Sequence, residues 1–274
     1  MKTEPAENLE ISIIMLAVGV EKFFLSAANS VLEFERSELI VVNPKKSILI
    51  HESVELLKRL HGDRIVHVTK SDNSPAEGLN NGLSLAQGKI VGVLNGDDFY
   101  LPGALDYVCQ VFRDNHDLEL LHGSGVISKE ATMEQKNSYP FGLQGRTLEL
   151  FSIKGTNYFH PGEFFLRTTF GKLPYNPSNR VNWDFEHYLE MYKVKPVTQF
   201  TPKKLAVFRV HQDSITGSGE HASKLATENS RLRLEFNYPA NNYWDFIHAT
   251  IVRFYQYLRG LAFTLRSDFK RSRL

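Results

Sequence analysis

Apolar and polar positions switch between two periods along the first half of the chain. "ISIIMLAV" (residues 11 to 18) is apolar almost throughout, the pattern of a strand buried on both faces. "EKFFLSAANSVLEF" (21 to 34) follows, with Phe24, Ala28, Val31 and Leu32 on one helical face. The alternation then repeats. "ELIVVN" predicts a strand and "ESVELLKRLH" a helix with Val54, Leu57 and Leu60 on one side. "RIVHV" predicts a strand, and "AEGLNNGLSLAQ" a helix carrying Leu79, Leu83 and Ala86. "KIVGVLN" predicts a fourth strand, and "PGALDYVCQVFRDN" a helix with Pro102 at its first position. Doubly apolar strands separated by helices predict an α/β fold with a mostly parallel central sheet flanked by helices. Ligands of such sheets bind beyond the carboxyl ends of the strands.

The second half is less regular. "LELLHG" and "GVIS" predict two strands, and residues 129 to 161 are loop-rich. "NWDFEHYLEMYK" resumes a helix, with Phe185, Tyr188 and Leu189 on one face. "KKLAVFRVH" predicts a strand, "DSITGSGEH" a loop, and residues 221 to 236 and 241 to 266 two further helices.

Composition narrows the class. Across 274 residues, 42% hydrophobic and 23% charged content suit a globular chain with a sizeable core. Lys+Arg 32 against Asp+Glu 31 excludes a basic field over the whole protein of the kind nucleic acid requires. The exception is the C-terminus, where six Arg/Lys and one acid lie between Ile251 and Leu274. The lone Cys109 cannot form an internal disulfide, which predicts a reducing, cytoplasmic setting. Its place on an apolar helix face predicts packing. Glu4, Glu7 and Glu10 ahead of "ISIIMLAVGV" give that run the wrong charge for a signal peptide, and no run reaches the ~18 apolar residues of a membrane span.

Candidate chemistry begins at "LNGDD". Asp97 and Asp98 stand together where a strand should end. Like charges about 5 Å apart repel by roughly 3 kcal/mol at an effective dielectric near 20. Two readings stay open: solvated turn residues, or ligands of a hard divalent cation that also draws a diphosphate. Upstream, Gly78 and Gly82 each cost a helix about 1 kcal/mol relative to Ala. Either the helix packs closely on the sheet, or its backbone must admit a nucleotide.

The order of these features resembles family 2 glycosyltransferases, in particular the bacterial polysaccharide-biosynthesis type. The resemblance rests on "ISIIMLAVGVEKFFLSAANSVL", "ELIVVN", "SDNSPAEGLNNGLSLAQGKIVGVLNGDD" and "PGAL". It continues through "HPGEFFLRTTFGKLPYN", "NWDFEHYLEM" and "LAVFRVHQDSIT", covering residues 10 to 216. It implies a GT-A nucleotide-binding fold over residues 1 to 216 with a helical C-terminal extension over 217 to 274. It also implies sugar transfer, usually with inversion, from a nucleoside diphosphate sugar, with a UDP-sugar expected, to a saccharide or lipid-linked hydroxyl. The setting implied is cell-surface polysaccharide or glycolipid synthesis.

The resemblance assigns residues as follows. Asp184 falls on the catalytic base. Ala17, Asn43, Asp72, Asn80 and Asp97 fall on the nucleotide-sugar side. Asp98 and His211 fall on the contacts to Mn²⁺ or Mg²⁺, although Asp97 and Asp98 can exchange the ribose and metal roles. Glu163 and Arg167 are candidates for the acceptor side, and Glu186 for the acceptor or a metal-bound water. His160 and His187 are expected to be structural or solvated rather than ligands, since no two histidines share metal-type spacing with a carboxylate.

Two motifs depart from the family. Leu16-Ala17-Val18-Gly19 replaces the usual Pro-Thr or Pro-x-Tyr, and Asn43-Pro44-Lys45-Lys46 replaces Asp-Asp-Gly-Ser. Asn43 can accept from a uracil N3–H, without charge assistance. These departures support an alternative, a catalytically silent relative that binds a nucleotide or a partner. A nucleotidyltransferase would need a Gly-rich, Arg/Lys-bearing loop at residues 16 to 22. A dehydrogenase would need G-x-G-x-x-G after the first strand. Neither is present. The aromatic, basic tail allows docking either on the catalytic domain or on an anionic membrane surface.

Overall fold

The computed structural model describes residues 9–44, 47–129, 134–138, 159–171, 173–212, 222–236 and 254. Most of the loop-rich stretch, the 213 to 221 loop, and the 241 to 266 helix and basic tail apart from residue 254 lie outside these residues.

The alternation of the first half is realised directly. Strand β1 (Ile11–Leu16) leads through α1 (Phe24–Leu32) to β2 (Ser37–Val42), then through α2 (Ile48–His61) to β3 (Ile65–Val68). Helix α3 (Pro75–Leu83) returns to β4 (Ile90–Asn95). These four strands pair in parallel, in the order β3-β2-β1-β4. Their unbroken apolar runs follow from burial on two faces. Ile11, Ile13, Met15, Leu39 and Val41 join the core beneath α1, α2 and α4 (Ala104–Asp114), whereas Ile14, Ile40 and Val42 pack with Ala76 and Leu79 of α3.

Beyond β4 come β5 (Phe99–Tyr100), β6 (Leu120–Lys129), β7 (Glu134–Ser138), β8 (Glu163–Leu166), the short α5 (Arg167–Phe170), α6 (Trp183–Val194), β9 (Thr198–Val210) and α7 (Ala222–Glu235). They extend the sheet as β4-β8-β6-β9-β5, with β7 on β6. Strand β8 is antiparallel to both neighbours, while the long β6–β9 ladder is parallel. The sheet is therefore mixed, with parallel pairing carrying most of it.

Several local expectations change. The two strands expected over 118 to 128 are one strand, β6, whose pairing with β9 shifts register at Gly123–Gly125. A Cβ at Gly123 would stand 2.1 Å from Leu205 Cδ1, and one at Gly125 2.0 Å from Phe159 Cε1. The glycines thus mark a bulge where neighbours press on the strand, not a break. Helix α4 starts at Ala104 behind Gly103, which sits at φ 69°. Pro102 precedes the helix because Leu101 N–H is drawn into the sheet by Leu205 O at 2.8 Å. Leu60 is 67% exposed; the buried face of α2 is Ile50, Val54 and Leu57. Cys109 is buried, and burial pushes its thiol pKa up, consistent with packing.

Glu38 and Ser12 lie wholly inside, although both interrupt apolar strands. Ser12 Oγ donates to Glu38 Oε1 at 2.5 Å, which also receives Gln87 N–H, while Gly88 N–H donates to Ser12 Oγ at 2.8 Å. The buried carboxylate thereby fastens the α3–β4 turn beneath the sheet.

Candidate active site

A cavity of about 650 Å³ opens at the carboxyl ends of β1 and β4, where a parallel sheet is expected to bind ligand. Its wall is built from four places. The end of β1 supplies Leu16, Val18, Gly19 and Val20; the turn after β4 supplies Asn95 and Asp97; the approach to α3 supplies Ser71 to Pro75; and the start of α6 supplies Val181, Trp183 and Asp184. Pro44, Phe208 and His211 complete it.

The turn after β4 separates the two acids. Gly96 N–H donates to Leu16 O at 2.9 Å, and a Cβ on Gly96 would stand 2.7 Å from Val20 Cγ2, so glycine lets the ends of β1 and β4 close together. Asp98 N–H then donates to Asn95 O at 3.0 Å. This geometry leaves Asp97 on the wall and turns Asp98 inward, where it is fully buried.

Strand β9 receives both acids. Arg209 N–H donates to Asp98 Oδ1 at 2.8 Å, and its guanidinium donates to Asp97 O at 2.7 Å. The same guanidinium lies over Phe99 and Phe23, 4.4 and 5.0 Å from the ring centroids. Two residues on, His211 Nε2 meets Asp97 Oδ2 at 3.0 Å. Burial, reinforced by the Asp97 charge, pushes the Asp98 carboxyl well above the usual range, against the contacts from Arg209 and Asn95. Asp98 is therefore not among the residues that line the cavity, and its Oδ2 is buried without a hydrogen-bond partner among the described residues. The pair that faces the cavity is Asp97 with His211.

Asp72 and Asp184 share this wall. Asp184 stands in the first turn of α6 and its Oδ1 accepts from Phe185 N–H at 2.9 Å. The positive end of the helix favours a carboxylate there. Asp72 lies against α3, which Ser74 caps by accepting from Glu77 N–H. A Cβ at Gly78 would stand 2.6 Å from Asp72 Oδ2. Gly78 therefore makes room for a wall carboxylate. Gly82 faces Ile14, Val42 and Ile40 side chains and serves close helix–sheet packing.

Three donor-side candidates do not reach the wall. Ala17 is buried between two wall residues, with its N–H on Val42 O at 2.9 Å. Asn43 is buried and faces the Ser47 backbone through contacts of 3.4 and 3.5 Å, leaving Pro44 on the wall instead. Asn80 clamps Tyr175, donating to its carbonyl and accepting from its N–H, both at 2.9 Å. The candidates for the acceptor side do not line the cavity either, and each has partners of its own. Arg167 Nε donates to Gly88 O at 3.0 Å, and Glu163 is buried beside His122, 3.0 Å from Nδ1. Glu186 is buried and accepts from Asn176, Asn179 and Arg231 at 2.7 to 2.8 Å. His187 is likewise enclosed, its Nε2 3.1 Å from Leu173 O.

The wall residues missed in the sequence include Trp183 and Phe208, and Arg209 was missed as organiser of the acid turn. "VFRVH" holds a usable signal: in a strand, Arg209 and His211 occupy one face at a spacing of two.

The comparisons agree with this architecture. The family model "Glycosyl transferase family 2" matches residues 12–173. The Bacillus subtilis minor teichoic acid biosynthesis protein GgaB is 29% identical over 124 residues, 43% of this chain and 13% of that protein. An uncharacterized glycosyltransferase of Nostoc sp. is 23% identical over 133 residues, 47% of this chain and 41% of its own length. The matches thus span less than half of these relatives. In solved structures, the S. aureus TarS 1-349 complex with UDP-GlcNAc superposes with a TM-score of 0.61 at 13% identity, covering 77% of this chain and 61% of that one. The mannosyltransferase PcManGT from Pyrobaculum calidifontis, in complex with GDP-Man and Mn2+, gives 0.58 at 14% identity, covering 91% and 75%. With the family model spanning more than half of its residues and the GT-A architecture in place, the chain belongs to glycosyl transferase family 2.

Proposed function

We propose that the chain moves a sugar, with inversion, from a nucleoside diphosphate donor to a hydroxyl on a saccharide or lipid-linked acceptor of a cell-surface polymer. The observation that carries this reading is the convergence of Asp72, Asp97, His211 and Asp184 on one cavity at the carboxyl edge of the sheet. The volume suits a nucleotide-sugar-sized ligand. The match to a teichoic acid biosynthesis protein supports the polymer setting.

The residues fit a divalent cation. A carboxylate oxygen and an imidazole nitrogen face the cavity 3.0 Å apart, a mixed donor pair that suits Mn²⁺ better than Mg²⁺, which prefers oxygen alone. Bound there, a cation would stabilise the charge on the departing diphosphate. Asp72 would hold the donor. Asp184, on the cavity wall at its helix start, would take the proton of the attacking hydroxyl. Pro44 on the wall, with Asn43 turned away, leaves the base to be read by other groups. TarS binds UDP-GlcNAc and PcManGT binds GDP-Man, so the fold accommodates either base.

A screen of UDP- and GDP-sugars with Mn²⁺ tests the proposal, using thermal shift and release of the nucleoside diphosphate. A Mn²⁺-dependent shift with one donor class, lost in Asp97→Ala, is expected. If no donor shifts the folded protein, sugar transfer is refuted and the silent-relative reading stands.

A further inference from the structure

A second constellation of ligating side chains lies away from the cavity. His51 and Glu55 are one helical turn apart on α2. His67 lies on β3, the edge strand of the parallel half, on the same face as Ile65, which packs in the core beneath α2. One ligand atom from each of the three comes within 4.8 Å of the others. None of the three lines the cavity.

We propose that His51, Glu55 and His67 form a binding site for Zn²⁺. Two imidazoles and one carboxylate are a common donor set for this ion, with a fourth position left to water. His67 Nε2 is shut off from solvent and has no hydrogen-bond partner among the described residues, a state that buried polar atoms ordinarily avoid. The His51 and His67 rings are 5.6 Å apart between centroids and inclined by 33°, so both can offer a nitrogen to a point between them. Tetrahedral bonds of about 2.0–2.2 Å place ligand atoms roughly 3.3–3.5 Å apart. Contraction from the observed spacing needs only side-chain rotation, because His51 is exposed and Glu55 half-buried. Glu55 is paired with Lys58 at 3.0 Å, but both side chains are more than a third exposed, and such a pair is worth at most about 1 kcal/mol. It yields readily to a divalent ion.

The site would act as a clamp. It joins α2 to the edge strand, and α2 follows directly on the loop whose Pro44 forms part of the cavity wall. Its role is structural, so it is independent of the sugar-transfer reading.

The test titrates Zn²⁺ alone into untagged, chelator-stripped full chain by calorimetry, with Co²⁺ absorption reporting nitrogen ligands. The arms are the unmodified protein, His51→Ala, His67→Gln and Asp97→Ala. The expected result is one equivalent of Zn²⁺ bound by the unmodified protein and by Asp97→Ala. Binding should weaken by about 100-fold or more when His51 or His67 is replaced, since loss of an outer-shell partner alone costs 10–100-fold. Circular dichroism verifies folding, and His51→Ala, at an exposed position, keeps the test valid if His67→Gln unfolds. A donor-dependent thermal shift retained in His51→Ala separates this site from the cavity. Absence of uptake, uptake unchanged in His51→Ala, or uptake lost with Asp97→Ala would each overturn the proposal.

Discussion

Replacing Gly78 by alanine should separate donor binding from stability. A Cβ there would stand 2.6 Å from Asp72 Oδ2 and 3.0 Å from Val42 Cγ1. Alanine in the helix interior gains about 1 kcal/mol over glycine. The nearest atom belongs to the mobile end of a side chain, so Asp72 swings aside at small cost, and net stability should change by less than about 1 kcal/mol. The displaced carboxylate should then lose its contact with the donor. Hydrogen bonds to charged groups are worth roughly 1.5–3 kcal/mol, which converts to about a 10- to 150-fold rise in donor KM. Nucleoside diphosphate release at varied donor concentration and thermal unfolding of the same preparation give the two readings. Gly82→Ala is the control. Its Cβ would press on Ile14 Cγ2 at 2.7 Å and Val42 Cγ2 at 3.2 Å, core atoms with little room, so it should lose stability and leave donor KM unchanged. A folded Gly78→Ala variant with unaltered donor KM would refute the role given to Asp72.

Three further outcomes are expected. Asp184→Asn should lower kcat by roughly 10²–10⁴-fold, the usual worth of a general base, while the donor-induced thermal shift persists. Arg231→Ala should cost about 1–2 kcal/mol in denaturant unfolding, the lower end reflecting the 37% exposure of the Arg231 side chain, because it removes one of three groups holding the buried Glu186. His187 titrates near pH 3 in the folded chain because of burial, against an ordinary value of 6.5. Between those values the unfolded chain binds the extra proton, so stability is full above about pH 6.5 and falls with acidification, by about 2 kcal/mol at pH 5. His187→Gln should flatten that part of the stability profile, measured by unfolding at pH 7 and pH 5.

The strand–helix alternation and the sheet-edge position of the acids were legible in the sequence because both arise from local pattern. A strand covered on two faces must be apolar throughout, and a helix covered on one must repeat at its own period. Asp72, Asp97, His211 and Asp184 were legible through motif order, and all four meet on the cavity wall. Which of two adjacent acids faces outward was not legible. That choice was made by β9, more than a hundred residues later, whose Arg209 draws Asp98 inward while His211 meets Asp97.

The same limit explains the other differences. Asn80 and Glu186 look available for ligands in the sequence, but Tyr175 and Arg231 occupy them from 95 and 45 residues away. Glu38 breaks an apolar strand, yet Ser12 and the turn at Gln87 and Gly88 hold its Oε1 inside. Periodicity and motif spacing therefore determined the element types and the carboxylates the chain can offer. The tertiary structure decided which of those groups stay exposed to a ligand, because a polar side chain spends its hydrogen-bonding capacity on whatever partner folding brings within about 3 Å.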